Sequence, residues 1–77
     1  MSAEVKIDYE KTKQALVKVK DGFEQMGAKG FLSGTRLEQC PFRFGSAFRV
    51  KWKRGWIWAW EFTYGMSFDL EEYNAMS

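Results

Sequence analysis

Between Gly27 and Ala59 the chain carries two short motifs in which small and aromatic residues recur at offsets 0, +3, +4 and +7. The first is Gly27, Gly30, Phe31 and Gly34. The second is Trp52, Gly55, Trp56 and Ala59, with Arg49 one turn ahead of it. Such a repeat puts its members on one face of an α-helix. Small residues facing aromatics, with positive charge around them, suggest a compact binding module for a polyanion rather than an active site. Between the motifs stands Cys40-Pro41-Phe42. Pro41 pushes Cys40 into an extended conformation, so any helix ends before it.

The segment from Phe44 to Tyr64 supports two readings. As a strand pair, Phe48, Val50, Trp52, Trp56, Trp58, Trp60, Phe62 and Tyr64 all fall on even positions. A three-residue loop at Lys53-Arg54-Gly55 would then close a β-hairpin. As a helix, Phe48, Trp52, Trp56, Ala59 and Trp60 share one side, while Ile57 and Trp58 face out. That reading also crowds Arg49, Lys51 and Lys53 at the positive end of the helix dipole, and with the aromatic and β-branched enrichment the local pattern by itself favours the hairpin.

Upstream, Asp8 opens a periodic element in which Tyr9, Thr12, Leu16, Val19, Phe23 and Met26 recur at helical steps. Lys11, Lys13, Lys18, Lys20 and Glu24 occupy its other side. The pattern predicts one amphipathic helix over about residues 8–26. Gly27 is a natural stop, but the spacing of Gly30, Phe31 and Gly34 lets the helix run on, at roughly 1 kcal/mol per glycine. Near the C-terminus, Asp69 followed by Glu72 resembles a capping box, predicting a short helix from about 69 to 76.

A chain of 77 residues has room for one domain, residues 1–77, and one modest core. Four tryptophans within nine residues exceed what such a core readily holds, so some are expected to face a partner. The formal charge of +2 hides a segregated pattern. Residues 27–54 hold Lys29, Arg36, Arg43, Arg49, Lys51, Lys53 and Arg54 against the single acid Glu38. Residues 55–77 hold Glu61, Asp69, Glu71 and Glu72 and no base. The basic block is the footprint expected of phosphate binding. Cys40 is the one cysteine and histidine is absent. Intramolecular disulfides, thiolate metal clusters and imidazole chemistry are therefore not expected, nor is a cofactor. No apolar run approaches bilayer length, which points to a cytoplasmic protein with no membrane partner.

The series Gly27-x-x-Gly30-Phe31-x-x-Gly34, Cys40-Pro41-Phe42, and Arg49-x-x-Trp52-x-x-Gly55-Trp56-x-x-Ala59 resembles the ribosome modulation factor family, over about residues 27–60. Gly45-Ser46 resembles a Gly-Ser/Thr pair often found between turn and second motif in that family. The resemblance implies a mainly α fold: a small helical hairpin turning through Pro41, here with an extra N-terminal amphipathic helix. It implies Trp52 and Trp56 in the groove between helices, with Gly27, Gly30, Gly34 and Gly55 as notches. The alternative is an α+β fold, with the N-terminal helix on a β-hairpin over 44–64 and a short C-terminal helix. The chain departs from the family in its acidic C-terminus, its N-terminal helix, and Ile57 and Trp58 at positions usually polar.

For function, the resemblance implies a non-enzymatic protein docking on ribosomal RNA of the small subunit and restraining translation. Lys29, Arg36, Arg43, Arg49, Lys51, Lys53 and Arg54 would neutralise phosphates, with Trp58 stacking on a base. The alternative is a phage-type inhibitor that masks a host protein through an apolar patch. Self-association as a homodimer through the N-terminal stripe fits either. An enzyme is disfavoured: the glycines of 27–34 are not followed by Lys-Ser/Thr, and Cys40 has no histidine to activate it.

Overall fold

The computed structural model describes residues 9–76, which form four α-helices and a short 3-10 turn, with no strand among them. The helices are α1 (Tyr9–Leu16), α2 (Gly22–Leu32), α3 (Ala47–Tyr64) and α4 (Leu70–Met76). The mainly helical architecture holds, and the β-hairpin alternative for residues 44–64 gives way to α3. The reason is burial. Helical register collects Trp52, Gly55, Trp56, Ala59, Trp60 and Thr63 on one inward face, which alternation would split between two. Each tryptophan takes roughly 150–250 Å² out of water, worth up to about 4–6 kcal/mol. Gly27, Gly30 and Gly55 inside helices cost about 3 kcal/mol together, so the packing term wins. Ser46 caps α3 by accepting from the Phe48 N–H at 3.1 Å. Gly65 ends it, its N–H donating to the Glu61 carbonyl at 2.8 Å.

The single helix expected over 8–26 is instead two helices, and Asp8 lies outside the described residues. The chain leaves helix after Leu16 and re-enters it behind Asp21, whose Oδ1 accepts from the Phe23 and Glu24 N–H groups at 2.9 and 3.1 Å. This cap competes with continuation of α1, and the β-branched Val17 and Val19 before it weaken the helical alternative. The chain reverses there. Tyr9 lies 6.1 Å from the Phe31 ring at one end, while Lys18 and Val19 border Glu24 at the other. Gly27 does not stop α2, which runs on to Leu32 before Gly34 turns the chain out at φ +89°.

The α2–α3 seam is the most extensive helix contact. Its pairings advance together along both helices: Phe23 with Phe48, Gly27 with Trp52, Phe31 with Trp56. The two helices thus run side by side in the same sense, and the expected helical hairpin gives way to a parallel pair: the segment through Pro41 is long enough to carry the chain back to the starting end of α2 before α3 begins. Residues 33–46 double back along the seam between them, through the turn Leu37–Gln39 and Pro41. Cys40 is extended (φ −52°, ψ 129°), as the proline after it requires. Along this return leg Trp56 Nε1 donates to the Thr35 carbonyl at 2.8 Å, and Phe42 reaches Phe23 at 5.5 Å.

A Cβ at Gly27 would stand 1.8 Å from the Trp52 carbonyl oxygen, and one at Gly55 1.8 Å from the Glu24 carbonyl oxygen. Backbone meets backbone on both sides, so neither site has a side chain that can move aside. At Gly30 the neighbour is the Trp52 ring, 2.9 Å away. The notches implied at Gly27, Gly30 and Gly55 therefore seat the helices as well as the rings, whereas Gly34 is no notch: it has open space around it and serves the turn after α2.

α1 lies along the far half of α3, where Thr12 and Thr63 share a buried hydroxyl hydrogen bond of 2.5 Å. Burial, and secondarily the Tyr9 hydroxyl, pushes the Tyr64 phenol up. α4 forms where expected, with Asp69 accepting from the Glu71 N–H at 2.9 Å. It brings Tyr73 to 5.4 Å from Trp56. The Tyr73 hydroxyl accepts from the Leu37 N–H and donates to Glu38 Oε1, both at 3.2 Å. One core, centred on Phe31, Trp52, Trp56, Trp60 and Tyr73, unites these elements.

Candidate nucleic-acid interface

The basic block of residues 27–54 divides among several neighbourhoods once folded. Lys29 is exposed in the last turn of α2. Arg36 opens the 3-10 turn, pairs with Glu38 and lies 5.2 Å from the Tyr73 ring centre. The pair holds the Arg36 guanidinium above and the Glu38 carboxyl below their ordinary pKa values. Arg43 is exposed on the loop after Pro41. Arg49 is drawn to the same loop, its Nη1 donating to the Phe42 carbonyl at 3.1 Å and its guanidinium 5.6 Å from the Phe44 ring.

The other cations line the flank of α3 that faces the start of α2. Lys51 Nζ is 3.1 Å from Asp21 Oδ2. The Glu24 N–H first, and Lys51 second, lower the Asp21 pKa. Arg54 Nη1 is 3.5 Å from Glu24 Oε2. These two ion pairs join α2 to α3 on the N-terminal side of Gly55, and they answer the crowding of cations at the start of α3: the acids come from the start of α2. Exposed pairs of this kind are worth about 0–1 kcal/mol, so a phosphate competes for them readily.

Trp58 differs from its neighbours. Trp52, Trp56 and Trp60 retain only 3%, 3% and 4% of their surface. Trp58 is half-buried, 5.3 Å from the Phe62 ring. It walls two adjoining depressions. One, of about 470 Å³ and shallow, lies on the outer side of α3 among Val50, Lys53, Arg54, Ile57 and Glu61. The other, of about 360 Å³ and more enclosed, lies between α3 and the bend at 17–21. Gly55 lies on its lining, and Lys18, Lys20, Glu24 and Arg54 rim it. The fold thus gathers Lys53, Arg54 and Trp58 of the expected residues, and leaves Lys29, Arg36, Arg43, Arg49 and the Asp21-paired Lys51 elsewhere.

Lys18 and Lys20 were not among the residues expected at the site. On one continuous helix they sit on its solvated side, and only the break after Leu16 swings them beside Trp58. The signal was in the sequence. Asp21-Gly22-Phe23-Glu24 has the same Asp-x-x-Glu spacing as Asp69–Glu72, and it marks a helix start there.

No group of three or more His, Cys, Asp or Glu side chains converges as a metal site among the described residues. Cys40 is half-buried against the core. No helix among the described residues is long and apolar enough to cross a membrane. Set against known protein families, curated proteins and solved structures, the chain matches none of them.

Proposed function

We propose that this chain is a non-enzymatic RNA-binding module that docks on small-subunit ribosomal RNA in the cytoplasm and restrains translation. The observation that carries the reading is the surface around Trp58. There Lys18, Lys20, Lys53 and Arg54 outnumber Glu24 and Glu61 beside a tryptophan that the core covers only in part. Mobile lysines reach phosphates at low cost, and an aromatic face accepts any base. The resemblance to ribosome modulation factors supports the reading through the placement of Trp52 and Trp56 against Gly27, Gly30 and Gly55 at the seam, though not through the hairpin course it implies.

Co-sedimentation with ribosomal subunits tests the proposal directly. The chain should pellet with the small subunit at low salt and leave it as salt rises. Lys53→Glu with Arg54→Glu should abolish pelleting while the helical circular dichroism persists. Indifference to salt and to both reversals would end the RNA reading.

A second reading, a phage-type inhibitor of a host protein, draws on a specific feature. Phe44, Val50 and Phe48 keep 86%, 56% and 48% of their surface exposed near the start of α3. In that case charge reversal slows association without abolishing the complex, and Phe44→Ser removes it.

A further inference from the structure

Where Lys18 and Lys20 approach Trp58, the fold creates a site that neither element has alone. We infer that the cleft between the 17–21 bend and the middle of α3 is a stacking subsite for one unpaired RNA nucleotide. Its base lies on Trp58, and Lys18, Lys20 and Arg54 take the phosphates on either side. The inference rests on the RNA-binding reading and narrows it from RNA in general to a single-stranded segment.

The space favours a single nucleotide. A cleft of about 360 Å³ admits a base and its sugar, whereas a duplex is far too wide to enter and keeps its base faces stacked internally. Gly55 also matters here. The close approach of α2 forbids a side chain at that position, which leaves bare backbone on the lining of the cleft beside the Trp58 ring.

The charges suit the same occupant. Lys18 and Lys20 are exposed and have no ion-pair partner among the described residues. Arg54 is held only by Glu24 at 3.5 Å, a solvated pair that yields easily to a phosphate. Once released, the Glu24 carboxylate stands at the cleft as an acceptor, and it would favour bases that present N–H groups on their Watson–Crick edge. Stacking supplies affinity, the cations supply reach, and Glu24 supplies the preference.

Anisotropy titrations with a labelled six-nucleotide single-stranded RNA and a twelve-pair duplex RNA test this. The intact chain should prefer the single strand. Trp58→Leu should weaken single-strand binding roughly tenfold or more with the salt slope unchanged, since stacking releases no counterions. Lys18→Gln with Lys20→Gln should weaken it and flatten the slope of log affinity against log salt by about 1.4. Arg43→Gln, remote from the cleft, is the matched control and should change single-strand affinity least. Because Trp58→Leu also touches the core, Trp58→Phe provides a milder check, with partial loss expected. Wild-type binding that is unaltered by the Trp58 and lysine changes would overturn the subsite and leave the RNA reading standing. A preference for duplex would do the same. No binding of either RNA at low salt would overturn both.

Discussion

The two sides of α3 both carry tryptophan and bury it to different depths. Its inner face holds Trp52, Trp56, Trp60, Gly55 and Ala59, all buried. Its outer face holds Val50, Ile57 and Trp58, which line an open groove with Lys53, Arg54 and Glu61. Trp58 lies two residues from both Trp56 and Trp60, so the difference is one of register along a single helix. A tryptophan's fate is set by what stands opposite. The inner rings meet the glycines of α2 and the returning loop, whereas Trp58 meets lysines on a bend. The inner face is rigid because backbone touches backbone. The outer face keeps its surface because nothing in the described chain covers it.

The largest effect available should come from filling the seam. Gly55→Ala or Gly27→Ala places a methyl where a carbonyl oxygen already stands, 1.8 Å from the ideal Cβ. The loss should reach about 4 kcal/mol or more, beyond ordinary overpacking, because backbone cannot step aside. For a domain this small that approaches the whole stability, and thermal unfolding should show little or no cooperative transition. A wild-type midpoint in either variant would mean the helices do not cross at these glycines.

Next comes the contrast between the two faces. Trp52→Ala should cost about 3–5 kcal/mol by denaturant titration, against about 1 kcal/mol for Trp58→Ala. Equal losses would erase the distinction drawn here. Smaller again is the bond joining α1 to α3. Thr12→Val and Thr63→Val should each destabilise, and the double variant should lose less than their sum by about 1 kcal/mol. Strict additivity would show that the hydroxyls are not coupled.

The smallest effect is acidic. Asp21 has a lowered folded pKa, from the Glu24 N–H and then from Lys51. Its contribution is therefore present above the unfolded carboxylate pKa and is lost as pH falls through the lower folded value, below about pH 4. Asp21→Asn keeps part of the cap and removes the charge, so its midpoint should depend less on pH in that window. An unchanged acid limb would place the titration elsewhere.

Part of this was legible from residues alone. Asp69 with Glu72 announced α4, because capping is a local property, whereas the close helix pair at Gly27, Gly30, Trp52 and Trp56 was implied by the family resemblance and opposed by the alternation of residues 48–64. The bend at 17–21 was missed for a local reason too: the apolar stripe from Tyr9 to Met26 keeps helical period across it, and Asp21 looks like one more polar residue until its capping role is weighed. The placement of the cations was beyond any local signal. Lys51 and Arg54 are matched by Asp21 and Glu24 across thirty positions of sequence, and Arg49 is turned aside by Phe42 and Phe44.

By itself, then, the sequence determined the capped helix after Asp69 and the helical spacing of Gly27, Gly30 and Phe31, since periodicity and caps act within a few residues, while residues 44–64 fitted helix and hairpin alike. Only the tertiary structure decided the same-sense run of α2 and α3, the return of residues 33–46 along their seam, and the gathering of Lys18 and Lys20 beside Trp58. Those depend on how chain segments distant in sequence share one small core. When backbones touch at Gly27 and Gly55, the position of every surrounding charge follows from that contact.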